Sequence, residues 1–258
     1  MASRKEQREQ ARAEREAREA AERAKAQRNK RILQLGGALA AAVAIVVIAI
    51  VISSGGSDKK GGGSSEGKAN GADQAAQLLN GIPQKGTTLG NPKARVTVEE
   101  FADLQCPFCR DYTLSTFPKL VATYVKPGKV KMVFQNYAFL GPDSLTAARA
   151  AEAAGKQNKL WQFVDVFYNN QGDENTDYVT DEFLRKMADG AGVDADKLLA
   201  DRQDPAVDQA IAKAQQAAQQ AGVNSTPTFL IKKAGSPPQK VSAAELEQAL
   251  AKAVGGGT

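Results

Sequence analysis

Residues 32–52, ILQLGGALAAAVAIVVIAIVI, run for 21 positions without a charge. As an α-helix such a segment spans about 31 Å, close to the hydrocarbon thickness of a bilayer. A single transmembrane helix is the expectation. The alternative is a cleaved signal peptide. Against it, the preceding stretch is long for an n-region, the apolar run exceeds the usual h-region, and no convincing A-x-A site follows. The segment is therefore read as an uncleaved signal anchor. Residues 1–31 hold 11 Lys and Arg, whereas Lys59, Lys60 and Lys68 are the basic residues just after the span. By the positive-inside rule residues 1–31 stay in the cytoplasm and residues beyond 52 lie outside the cell membrane.

The net charge of +5 has the same origin. Residues 1–31 carry 11 basic and 6 acidic side chains, and the other 227 residues carry 23 of each sign. The basicity belongs to an arm rather than to the globular part, so it gives no support to nucleic-acid binding, and none is expected. The arm reads as a solvated helix with Glu14/Arg18 and Glu19/Arg23 as i,i+4 pairs. It has almost no large apolar residues and hence no coiled-coil seam. Contact with anionic headgroups is possible for it, but an orientation signal kept soluble by its charge is the simpler reading. Gly36, Ala40 and Ala44 form a small-xxx-small row that carries little weight in so Ala-rich a chain.

Residues 53–72 have Gly or Ser at 12 of 20 positions and read as a flexible linker with an r.m.s. reach of about 25 Å. Residues 73–258 are enough for one domain with a substantial core. Within it, RVTVEEF (95–101) alternates as a strand, 110–125 has a helical pattern, and 129–139 reads as a second strand. From 144 to 222 the pattern is helical almost throughout, with Thr180 and Asp194 as N-caps and a long helix over 205–221. A strand returns at 228–233. After the AGSPPQ turn, Ser242 and Glu245 mark a capping box for a last helix. The order is βαβ, a helical block, then β, a short strand and a helix: an α/β module with a helical insertion.

The chain has no histidine and only two cysteines, Cys106 and Cys109. Ser-His-Asp and Cys-His machinery and His-ligated zinc are thereby excluded. Two thiolates fall short of a four-ligand zinc site unless two chains share one, and no metal is expected. A purely structural disulfide closing so short a loop would restrict little of the unfolded chain. A redox pair fits better, because thiols outside the cytoplasm face an oxidising environment. Pro107 suits the first helical position, which puts Cys106 at a helix N-terminus where N–H groups and the dipole favour a thiolate. Cys106 becomes the attacking thiol, and Cys109, one turn on and more buried, the resolving one. Glu100 shares a strand face with Val96 and Val98. It could curl out to solvent at the strand end; buried near Cys109, its pKa would rise and it could relay a proton during exchange.

EEFADLQCPFC (99–109), followed by GVNSTPTFLI (222–231), resembles the DsbA-like thiol–disulfide oxidoreductases, above all membrane-anchored or secreted forms of Gram-positive and actinobacterial envelopes. The resemblance covers roughly residues 77–254. It implies a thioredoxin-like α/β fold whose helical insertion is the block at 144–222. It makes Cys106 and Cys109 the catalytic redox-active disulfide and Glu100 the buried acid behind it. Pro107 and Phe108 become the dipeptide that tunes the pair, and Pro227 a cis-proline facing it. Thr226 then offers backbone contacts to an extended substrate. From the residues alone, Thr226–Pro227 is an ordinary trans turn, and only the resemblance favours cis. Strongly oxidising relatives often have His where Phe108 stands. Phe108 can donate neither charge nor a hydrogen bond to the thiolate, so a less oxidising pair is expected.

The implied activity is a membrane-tethered dithiol oxidase that introduces disulfides into secreted or envelope proteins, with no cofactor of its own. Unfolded secreted polypeptides would be its substrates, and a quinone-linked DsbB-like or vitamin-K-epoxide-reductase-like membrane protein its re-oxidase. A reductase or isomerase of the envelope, or a non-catalytic binding module, are the alternatives.

Overall fold

Two parallel strands cannot be joined by a tight turn, and that requirement organises the molecule around the cysteines. The structure is a computed structural model that describes residues 68–255. Strand β3 (Val96–Ala102) pairs in parallel with β4 (Val130–Asn136). The crossover between them is helical: α2 (Pro107–Ser115), α3 (Phe117–Leu120) and a π-turn at Val121–Val125. On the far side, β3 pairs antiparallel with β5 (Thr228–Lys233), which in turn pairs with β6 (Gln239–Ser242). A two-residue hairpin, β1 (Gln84–Lys85) and β2 (Thr88–Leu89), extends the β4 edge, giving the order β1-β2-β4-β3-β5-β6.

The registers place Glu100 between Phe134 and Phe229 on one face of the sheet, in line with Val96 and Val98. That face meets α2 and the C-terminal helix α9 (Ala243–Gly255). Phe101 and Leu230 point to the other face and pack with Ala218 and Val223. Both faces of β3 are therefore covered, which is why Phe101 and Ala102 break the alternation without reaching solvent.

The helical block comprises α4 (Pro142–Lys156), α5 (Leu160–Asn169), α6 (Asp181–Ala191), α7 (Ala195–Asp201) and α8 (Pro205–Gln220). Helix α5 is apolar on nearly every side and is buried from Leu160 to Tyr168, as expected of the block's central helix. Trp161 ties it to the sheet. Its ring stacks on Phe117 at 5.3 Å and meets Phe134 edge-on at 5.7 Å, while Nε1 donates to the Thr87 carbonyl at 3.0 Å.

The predicted caps form: Thr180 accepts from the Phe183 N–H and Asp194 from that of Lys197. The Ser242–Glu245 box closes at 2.9 Å through the Ser242 N–H. Three boundaries differ from the pattern. The helix read at 110–125 starts at Pro107 and breaks at Thr116, because Pro118 must sit in a first turn where its missing N–H costs nothing. The helix read from 144 starts at Pro142 for the same reason. The strand read at 129–139 ends at Asn136, and the N–H groups of Phe139 and Leu140 bond to Asp103 instead of a neighbouring strand.

The charged arm (1–31), the apolar span (32–52) and most of the linker (53–72) lie outside the described residues. At the linker's end the chain is already packed: Ala69 is buried and helix α1 (Ala72–Leu79) begins at Ala72. Among the described residues, no helix is long and apolar enough to cross a membrane.

Candidate active site

Cys106 is the N-cap of α2, extended at φ −70° and ψ 119°, and Pro107 occupies the first turn. This leaves the N–H groups of Phe108 and Cys109 turned toward the Cys106 sulfur. Both cysteines are thiols. The Cys109 thiol, hydrogen-bonded to Cys106, together with the Thr226 side chain and those two N–H groups outweighs burial and holds Cys106 down at about 6. Cys109 is fully buried; burial, then its bond to Cys106 and the negative charge there, push it well above an ordinary thiol. One sulfur is thus an anion at neutral pH and the other a bound proton.

The remaining predicted residues stand around this pair. The Cys106 Sγ, when protonated, donates to the Thr226 carbonyl at 3.4 Å. The Thr226–Pro227 peptide is cis, and Pro227 is half-buried. Phe108 is 70% exposed, so its ring stands in solvent beside the thiol, and its contribution to the thiolate is a backbone N–H. Glu100 is 1% exposed on the face beneath α2, and burial pushes its carboxyl up to about 8. The charges of Glu100 and Cys109 both act on the buried rings of Tyr112 and Tyr168.

A second set of residues, none singled out in the sequence, braces the loop that presents Cys106. The buried Asp103 carboxylate accepts from the Gln105 N–H at 2.9 Å, Phe139 N–H at 2.8 Å and Leu140 N–H at 3.1 Å. Its carbonyl accepts from the Cys106 N–H at 2.9 Å and the Tyr168 hydroxyl at 3.1 Å. Gln171 Nε2 donates to the carbonyls of Leu104 at 2.7 Å and Cys106 at 3.2 Å. Gln105 bonds Ser144 through Nε2 and accepts from the Asn175 N–H. Asp103 follows a strand and bonds two residues on, a turn habit of aspartate that local sequence can signal. The roles of Tyr168, Gln171 and Asn175 depend on tertiary placement alone.

A helix-capping cysteine with a lowered pKa, a buried partner thiol and a central parallel strand pair define a thioredoxin-fold protein with a dithiol at its working end. A sequence model described as thioredoxin matches residues 83–251, and the chain belongs to that family. The DsbA-like resemblance is met by named relatives. Probable disulfide bond formation protein D of Bacillus cereus is 39% identical over 99 residues, which is 38% of this chain and 46% of that protein. Disulfide bond formation protein D of Bacillus subtilis is 34% identical over 123 residues, 46% of this chain and 55% of that protein. The matches therefore span about half the length of these curated relatives. The crystal structure of oxidised BdbD from Bacillus subtilis superimposes with a TM-score of 0.59 at 25% identity, covering 68% of this chain and 98% of that one.

Proposed function

We propose that the protein is a membrane-tethered, extracytoplasmic thiol–disulfide oxidoreductase working as a dithiol oxidase on secreted or envelope proteins. The observation that carries this reading is the placement of Cys106: it caps α2 with two backbone N–H groups turned to its sulfur and the buried Cys109 thiol beside it, an arrangement that stabilises a thiolate. A stabilised thiolate belongs to the reduced state, so lowering its pKa makes the disulfide a stronger oxidant. Relatives named as disulfide bond formation proteins support the same direction.

In the oxidised enzyme, a substrate thiolate attacks the Cys106 sulfur. The Cys106–Cys109 bond breaks, a substrate–Cys106 disulfide forms, and Cys109 leaves with the electron pair. A thiol whose pKa is so high cannot leave well as an anion, so it needs a proton. Glu100, raised to about 8, holds one at neutral pH and can give it to Cys109. The substrate's second thiolate then attacks its own bonded sulfur, completing the substrate disulfide and releasing Cys106 as the thiolate. Two electrons have passed to the enzyme. Pro107 and Phe108 front the pair, and Thr226 and Pro227 flank it where an extended substrate backbone would lie. The exposed rings of Phe108 and Phe139 offer apolar contact to such a chain. Re-oxidation falls to a quinone-linked DsbB-like or vitamin-K-epoxide-reductase-like membrane protein.

Equilibrating the solubilised full chain with glutathione buffers tests the direction. A potential near about −120 to −180 mV is expected, and one near about −270 mV would assign a reductase instead. Cys106→Ser should abolish disulfide formation in cells; an intact phenotype would leave only the binding-module alternative.

A further inference from the structure

Beneath α2 two buried oxygens have no hydrogen-bond partner among the described residues: Oε2 of Glu100 and the hydroxyl of Tyr112. A buried polar atom without a partner is costly, so a pair of them in one place calls for a shared solution. They are in one place. Tyr112 follows Cys109 by three residues, so both project from the same side of α2, and both are buried. The Tyr112 ring lies 4.7 Å from that of Phe229, the cross-strand partner of Glu100 on the same sheet face. An acceptor and a donor thus converge under Cys109, within electrostatic reach but with no direct hydrogen bond between them.

We infer that the Tyr112 hydroxyl donates, through one shared buried water, to the Glu100 carboxylate, and so sets the proton affinity of the group that serves Cys109. Tyr112 is on this account a positioning residue, and the inference rests on the proton-relay role proposed for Glu100. The chemistry fits a hydroxyl better than any other buried group here. Burial and the charges of Glu100 and Cys109 drive the Tyr112 pKa up, so it stays a donor throughout the working pH range. A donor aimed at a carboxylate favours the charged form and opposes desolvation, which otherwise raises the pKa of Glu100 unchecked.

The titratable groups around Glu100 are few. Cys106, Cys109 and Tyr112 come from α2, Tyr168 from α5, and Asp103 from the loop after β3. Helix α9 turns Leu246, Ala249 and Leu250 inward and keeps Glu245 and Glu247 outside. Lys232 of β5 bonds Glu99, whose register puts it on the opposite face. Tyr168 already donates to the Asp103 carbonyl, which leaves Tyr112 as the phenol with a free donor.

Tyr112→Phe removes the hydroxyl and little else. In oxidised full-length protein carrying carbon-labelled glutamate, the Glu100 carboxyl resonance, assigned by its loss in Glu100→Gln, is followed from pH 5 to pH 10. Tyr112→Phe should raise its midpoint by about half a unit or more, and slow single-turnover oxidation of a dithiol peptide at pH 7 up to about threefold, because Glu100 stays protonated but becomes a weaker acid. In a Glu100→Gln background the same substitution should change that rate less than twofold. Site-specific 3-fluorotyrosine at position 112, a stronger donor, should lower the midpoint, and keeps the test open if the Phe variant folds poorly. An unmoved midpoint in both variants overturns the inference, whatever the rates do. If instead Glu100→Gln leaves the rate untouched across pH, the relay reading fails, and the midpoint still decides whether Tyr112 holds Glu100.

Discussion

At Cys106 two opposing effects meet, and their balance can be titrated. Burial disfavours the thiolate, yet the Cys109 thiol, the Thr226 side chain and two backbone N–H groups bring it down to about 6. Alkylation of the reduced protein by iodoacetamide should therefore follow a midpoint near 6 at Cys106, read by mass spectrometry, while Cys109 stays unlabelled to pH 9. A midpoint near that of a free thiol would show that the helix terminus does not stabilise this sulfur. Glu100 makes the converse case. Its folded pKa of about 8 lies above its ordinary 4.5, so the folded state binds an extra proton between those values. Stability from that proton is fully present below about 4.5 and is lost as pH rises through about 8. Glu100→Gln does not titrate. In the oxidised protein it should match the parent near pH 4.5 and exceed it at pH 9 by about 2 kcal/mol or more, measured by urea unfolding. A difference that stays flat with pH would mean the carboxyl is not raised.

Among the elements, the loop between β3 and α2 is the part most dependent on distant support. Asp103 takes three backbone N–H groups from two segments, and Gln171 holds two loop carbonyls from beyond α5. Asp103→Ala would strand those donors in a buried place. A loss of about 3 kcal/mol in urea unfolding is expected, together with a Cys106 alkylation midpoint displaced upward as the helix start loosens. Gln171→Ala should cost about 1 kcal/mol and move the midpoint less. Unchanged midpoints in both would show that α2 holds its geometry without the helical block. This division also marks what the sequence made legible. The strand with Glu100, the capped helices and the cysteines at a helix start follow from periodicity and from local chemistry near each residue. The two-residue strands around Gly86 are too short to show a period. Helix α1, short and Ala-rich, begins at the linker boundary at 72 but shows no readable helical pattern, because small residues signal packing weakly. Gln171 and Tyr168 touch the site across 65 or more positions of sequence, and no local pattern encodes that contact.

At the scale of the whole chain, the proposed anchor fixes where the dithiol can work. Packing begins at Ala69, so the proposed tether would be residues 53–68, whose composition gives a Gly-rich coil a reach of about 22 Å. On the proposed function, such a tether would keep the module near the bilayer, where a membrane re-oxidase would meet it at high effective concentration. The full chain should stay with membranes through an alkaline carbonate wash. External protease on spheroplasts should release a soluble fragment that still oxidises a dithiol peptide. Val43→Lys with Val47→Lys places two charges mid-span at about 2.5–3.5 kcal/mol each, enough to prevent stable insertion. That variant should be extracted by carbonate, keep its glutathione potential within experimental error, and accumulate as the dithiol in cells because re-oxidation has lost its proximity. Carbonate extraction of the parent chain would remove the anchor from the proposal. A soluble variant that stays oxidised in cells would instead remove the membrane re-oxidase, while leaving the thiol chemistry of Cys106 and Cys109 where it stands.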